Sequence, residues 1–115
     1  MALRVVLHVP DSSRYKVALN MGVNFLKTKK EGEDLSARVL VNAQGITILL
    51  EELPSDILTK MKEFMELGGE LYFCENAMRA FNVPRDKVPA GGKTVPAGIR
   101  ALVEWQAEGF AYVRP

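Results

Sequence analysis

Apolar and polar residues alternate in short runs, and longer runs with helical spacing separate them. Residues 3–9 alternate and predict a first strand, after which apolar positions from Tyr15 to Leu26 follow one face of a helix. Residues 35–41 predict a second strand and residues 71–73 a third. The chain therefore begins with strands and helices in alternation.

The middle and the end of the chain continue this alternation. The run ITILLEELP is ambiguous between strand and helix, and we interpret it as a short helix. Ser55 and Asp56 open a clear helix that Gly68 and Gly69 end. The remaining predicted elements are a helix over residues 76–81, a strand at 94–95, a helix over 97–107 and a strand over 110–113.

Strands that alternate with helices require crossover connections. Such connections favour a parallel sheet with helices on both faces, so we expect the α/β class. The sequence has no internal repeat or linker, and 115 residues suffice for one core. We therefore expect a single domain over residues 1–115.

Composition excludes several classes of function. The 15 basic and 14 acidic residues are scattered along the chain, which argues against nucleic-acid or membrane partners. One cysteine and one histidine are too few for a zinc cage, and no other metal or cofactor is expected. No secretion signal is recognised at the start, and a lone cysteine suits a reducing compartment, so we expect a cytoplasmic protein.

The candidate chemistry lies where predicted strands end. In open α/β sheets, ligand sites form at the carboxyl ends of the strands. His8, Asn42, Cys74 and Asn76 occupy such positions. We expect Asn76 to cap the next helix, which would place Cys74 beside free backbone N–H groups that favour a thiolate.

These residues also have structural interpretations. A single cysteine after an apolar strand is often a core residue, and a histidine on a strand is often only hydrogen-bonded. If the first and third strands are near neighbours, His8 and Asn24 approach Cys74. Under the reactive interpretation, Cys74 is partly exposed.

The last predicted helix suggests self-association. Ile99, Leu102 and Val103 predict one apolar face, and Ala101 and Trp105 lie off it. An exposed tryptophan usually has a partner surface, so we expect a homo-oligomer.

Several segments together resemble the DsrE/DsrF-like family: HV near the start, ALNMGVNFL, VNAQGI, CENAMRAF and the closing VPAGIRALVEWQAEGFAYVRP. The resemblance implies a three-layer α/β/α domain with a mostly parallel five-stranded sheet, assembled as trimers or hexamers. It also implies that Cys74 receives sulfane sulfur and passes it on as a persulfide, in the manner of a sulfurtransferase-type carrier.

Three functions remain open at this point. In a sulfur relay, the acceptor of the Cys74 persulfide must be another protein or a small thiol, because the chain has no second cysteine. The alternative is a non-catalytic oligomeric module that binds an anion or nucleotide through Asn42, Asn76 and helix N-termini. A third interpretation is a subunit that only assembles.

Overall fold

One parallel sheet forms the centre of the molecule. The computed structural model describes all residues from Met1 to Pro115. Its strands are β1 (Ala2–Val9), β2 (Asp34–Val41), β3 (Glu70–Cys74), β4 (Lys93–Val95) and β5 (Ala111–Val113). They lie in the order β4-β3-β2-β1-β5, and every neighbouring pair is parallel. The expected α/β class is confirmed.

Four α-helices and three short 3-10 helices connect these strands. The α-helices are α1 (Tyr15–Lys27), α2 (Ser55–Glu66), α3 (Glu75–Ala80) and α4 (Gly98–Ala107). The 3-10 helices are Ser12–Arg14, Ala43–Leu50 and Arg85–Lys87. The short helix predicted for ITILLEELP exists as the 3-10 helix Ala43–Leu50, which begins earlier than expected. None of the helices is long and apolar enough to cross a membrane.

Two apolar cores lie on opposite faces of the sheet. The larger one joins β1, β2 and β3 to α1, α2 and α3, with Phe64 and Phe73 fully buried at its centre. The smaller one lies under α4 and contains Val6, Leu40 and Trp105. The result is a three-layer arrangement in which a single helix covers the second face.

The predicted orientation of α4 is wrong. Trp105 is buried together with Ala101 and Leu102, whereas Ile99 and Val103 are 68% and 59% exposed. Trp105 packs against Tyr72 and Phe110, with ring centroids 4.8 and 6.3 Å away. The guanidinium of Arg38 lies 4.8 Å from the Trp105 ring centroid, so a cation–π contact also holds this face on the sheet.

Candidate functional site

Cys74 lies where a strand passes into a helix without a loop. It is the last residue of β3 and also the N-cap of α3, with extended backbone angles. The prediction that Asn76 caps this helix is wrong. Asn76 is the second residue of α3, and its Oδ1 accepts a hydrogen bond from Arg79 one turn later.

Two backbone N–H groups converge on the sulfur. Ala77 N in the first turn of α3 lies 3.4 Å from Cys74 Sγ, and Gly98 N at the start of α4 lies 3.2 Å from it. A backbone hydrogen bond also joins the start of α3 to the segment before α4, because Asn76 N donates to Pro96 O at 3.2 Å. A sulfur that accepts two N–H groups is in a setting that suits negative charge.

Cys74 is nevertheless buried. Its exposed fraction is only 5%, so the expected partial exposure is wrong. The segment that leads from β4 into α4 closes over it, since Val95 pairs with Cys74 in the sheet and Gly98 follows three residues later. Little of the residue is therefore open to a reagent in solution.

Gly98 permits this close packing. A Cβ at position 98 would lie 3.1 Å from Asn42 Cβ and 3.3 Å from Cys74 Cβ. Both distances are tighter than ordinary van der Waals contact. The absence of a side chain therefore lets the start of α4 bring its N–H to the sulfur, with Asn42 on the other side.

His8 and Asn42 are joined in a hydrogen-bonded chain that ends on Tyr112. His8 Nε2 lies 2.7 Å from Asn42 Oδ1, and His8 Nδ1 lies 2.5 Å from Tyr112 Oη. An amide oxygen only accepts, so His8 Nε2 carries a proton, and in the neutral ring Nδ1 accepts from the Tyr112 hydroxyl. Asn42 Nδ2 then faces Gly98. Asn42 thus lies between His8 and the Cys74 region, and no hydrogen bond joins His8 to Cys74.

Burial lowers the pKa of His8, against the raising effect of the Asn42 hydrogen bond, and the nearby charge of Arg114 lowers it further. The folded protein therefore favours the uncharged imidazole. The pKa of His8 is lower in the folded than in the unfolded state. At a pH between these two values, mainly the unfolded state takes up the proton, and this uptake favours unfolding.

We expect the free energy of unfolding to fall as the pH is lowered from about 7.5 through the ordinary histidine value of 6.5. Chemical denaturation measured at several pH values checks this. His8→Gln should flatten the curve in that window, because His8 is the only histidine. If the free energy of unfolding falls as steeply in the variant, the pH dependence comes from carboxylates and not from His8.

Asn24 does not belong to this group of residues, and the prediction that it approaches Cys74 is wrong. It is exposed, near the end of α1. Helix α1 starts after the carboxyl end of β1 and runs back to the start of β2. Its last turns therefore lie at the amino edge of the sheet, opposite Cys74.

Sequence reasoning missed Gly98 and Tyr112. If β4 had been placed beside β3, the rule that sites form at the carboxyl edge of the sheet would have identified Gly98 as a candidate. Tyr112 pairs with Val6 in the sheet, two residues before His8, so it required knowledge that β5 borders β1. No group of three or more His, Cys, Asp or Glu side chains lies close enough to hold a metal ion.

Comparison with known proteins shows to which family the chain belongs. A family model described as the DsrE/DsrF-like family matches residues 5–115. The chain belongs to the DsrE/DsrF-like family. A search of the curated proteins finds no match.

A solved structure has the same fold as this DsrE/DsrF-like chain. It is a protein of unknown function, MTH1491 from Methanobacterium thermoautotrophicum, with 26% sequence identity and a TM-score of 0.80. The alignment covers 98% of this chain and 99% of that one. The likeness therefore extends over the complete sheet and all its helices.

Proposed function

We propose that the chain is a sulfur carrier that holds sulfane sulfur as a persulfide on Cys74. The observation that carries the proposal is the convergence of Ala77 N and Gly98 N on Cys74 Sγ. Both contacts place N–H donors where they would stabilise a thiolate. Membership of the DsrE/DsrF-like family supports the same function.

The chemistry consists of two thiol exchanges. The Cys74 thiolate attacks the outer sulfur of a donor persulfide, R–S–SH, which forms Cys74–S–SH and releases the donor as R–S⁻. An acceptor thiolate then attacks the outer sulfur of Cys74–S–SH, takes it as R′–S–SH and restores the Cys74 thiolate. The two N–H donors stabilise the thiolate before the first step and after the second.

Burial of Cys74 affects the rate of this exchange. Its exposed fraction is only 5%, so little of the residue is open to a donor in the folded chain. We therefore expect loading to be slower than the reaction of the same donor with a free small thiol.

The test is intact-mass measurement after incubation with a small-molecule persulfide donor. The native protein should gain the mass of one sulfur atom, and a thiol reductant should remove it. Mass mapping should place the gain at Cys74. A protein that gains no sulfur under conditions that load an unfolded cysteine peptide would contradict the proposal.

The second candidate is a small-molecule binding module in which Cys74 only packs, and the low exposure of Cys74 favours it. Asn42 and Asn76 were its expected polar groups. Their side-chain oxygens already accept hydrogen bonds from His8 and Arg79, and neither residue lines a cavity. We therefore prefer the sulfur carrier.

We also propose that the chain forms a homo-oligomer through the outer face of α4. Ile99, Val103 and Ala107 line a shallow apolar groove there. Solvent-facing aliphatic side chains in one helical row are typical of a subunit contact.

Sedimentation should show the native chain larger than a monomer at micromolar concentration, and Val103→Glu should shift it to monomer. Leu67→Glu, which changes an exposed leucine on the other face of the sheet, is the control. A native chain that sediments as a monomer would remove this proposal.

A further inference from the structure

Tyr112, His8 and Asn42 form a connected group of side chains that the proposed sulfur chemistry does not use. The Tyr112 hydroxyl lies 2.5 Å from His8 Nδ1, and His8 Nε2 lies 2.7 Å from Asn42 Oδ1. The contact between Tyr112 and His8 lies at the surface, and Tyr112 is 42% exposed. A molecule in solution can therefore reach this end of the group. Cys74 makes no hydrogen bond with any of the three side chains.

The three side chains stand in the order of a nucleophile, a base and an orienting group. In such a triad a hydroxyl or thiol donates to one imidazole nitrogen, and a third group holds the other ring nitrogen. Here the neutral ring of His8 presents Nδ1 to the Tyr112 hydroxyl, while Asn42 Oδ1 accepts from Nε2–H. Asparagine also occupies the third position in papain-like proteases.

We propose that Tyr112 is an activated nucleophile that accepts an acyl group from an ester or thioester, with His8 as its general base and Asn42 as a positioning residue. Tyr112 Oη attacks the acyl carbon while its proton passes to His8 Nδ1. A bond forms between Oη and the acyl carbon, and the bond from that carbon to the leaving oxygen or sulfur breaks. The leaving group departs with the electron pair, and His8 returns the proton to it or to water.

The surroundings of His8 suit a base. Burial lowers its pKa from the ordinary 6.5, the Asn42 hydrogen bond raises it, and the charge of Arg114 lowers it further. The net lowering favours the uncharged ring, whose Nδ1 can take a proton. Asn42 Oδ1 then stabilises the imidazolium that forms, because it already accepts from Nε2–H.

The other two tyrosines lack such a base, because His8 is the only histidine. Tyr72 donates its hydroxyl to Glu70 at 3.2 Å, and a carboxylate is a much weaker base than an imidazole. Tyr15 is buried. Tyr72 is therefore the internal control for Tyr112.

The experiment treats the folded protein with p-nitrophenyl acetate and locates the acetyl groups by peptide mass mapping, which separates acetylated tyrosine from acetylated lysine. Tyr112 should be acetylated about a hundredfold faster than Tyr72, at the lower end of the usual effect of a general base. Its rate should stay level between about pH 7 and 8, because it follows the uncharged fraction of His8. A phenol without a base reacts as phenolate, so its rate rises about tenfold over the same pH unit.

Two variants test the partners of Tyr112. His8→Gln should lower the rate about a hundredfold and remove the level region of the pH profile. Asn42→Ala should keep the level region and lower the rate there about tenfold, near the lower end for one hydrogen bond to a charged group. Circular dichroism checks that each variant is folded, and the pH profile of the native chain tests the proposal without any substitution.

Three results would overturn the proposal. They are a Tyr112 rate that rises about tenfold between pH 7 and 8 in the native chain, equal rates for Tyr112 and Tyr72, and release of p-nitrophenolate that is as fast in Tyr112→Phe as in the native chain. An unchanged rate in Asn42→Ala would contradict the positioning role of Asn42. None of these results bears on the sulfur carrier, because the acyl transfer uses neither Cys74 nor the N–H donors to its sulfur.

Discussion

Cys74→Ser is expected to abolish sulfur loading completely while the protein stays folded. Serine is close to cysteine in size, and its hydroxyl oxygen can accept from Ala77 N and Gly98 N as the sulfur does. It cannot form a persulfide. Intact mass after donor treatment should therefore show no gain of sulfur, with an unchanged circular dichroism spectrum.

Cys74→Ala separates the two roles of the sulfur. Alanine also abolishes loading, but it leaves both N–H groups without their acceptor, at a cost of about 1–3 kcal/mol for a buried group. Cys74→Ala should therefore be less stable than Cys74→Ser in urea denaturation. Equal stability of the two variants would mean that the N–H contacts to sulfur are energetically unimportant, and sulfur gain in either variant would exclude Cys74 as the carrier.

The sheet could be predicted from sequence because its evidence is local. Alternation within residues 3–9 and 35–41, and helical spacing in between, need no knowledge of distant residues. The grouping of His8 and Asn42 at one edge also follows from the direction of parallel strands. The same direction should have excluded Asn24, because a crossover helix returns to the amino edge.

The errors at α4 and Cys74 arise from contacts that local patterns do not contain. Helix α4 has two adjacent rows of apolar residues. The row that contains Trp105 faces the sheet, because Trp105 packs against Tyr72 of β3 and Arg38 of β2. The cap of α3 is Cys74 because β3 runs directly into the helix. Its burial depends on Gly98, 24 residues away in the sequence. Tertiary packing determined each of these outcomes.

The largest loss of stability is expected for Gly45→Ala. A Cβ at position 45 would lie 2.2 Å from Val9 O, 3.1 Å from Val9 C and 3.2 Å from Asp11 N. All three are backbone atoms, so no side-chain rotation relieves the contact. The 3-10 helix Ala43–Leu50 must then move away from the end of β1, and the hydrogen bond from Gly45 N to Pro10 O at 3.0 Å is strained.

We expect Gly45→Ala to lower the free energy of unfolding by about 3 kcal/mol, at the upper end of the usual cost of overpacking. Gly32→Ala is the control: its φ of +81° disfavours alanine, but no atom lies within 4 Å of the added Cβ, so about 1 kcal/mol is expected. Urea denaturation of both variants measures the difference.

Because Asn42 N also donates to Val9 O, movement of this segment displaces Asn42 from His8. The His8-dependent fall in stability between about pH 7.5 and 6.5 should therefore weaken in Gly45→Ala and persist in Gly32→Ala. Equal stability of the two variants would show that the end of β1 yields to the added methyl group, and that the close approach at Gly45 does not hold Asn42 in place.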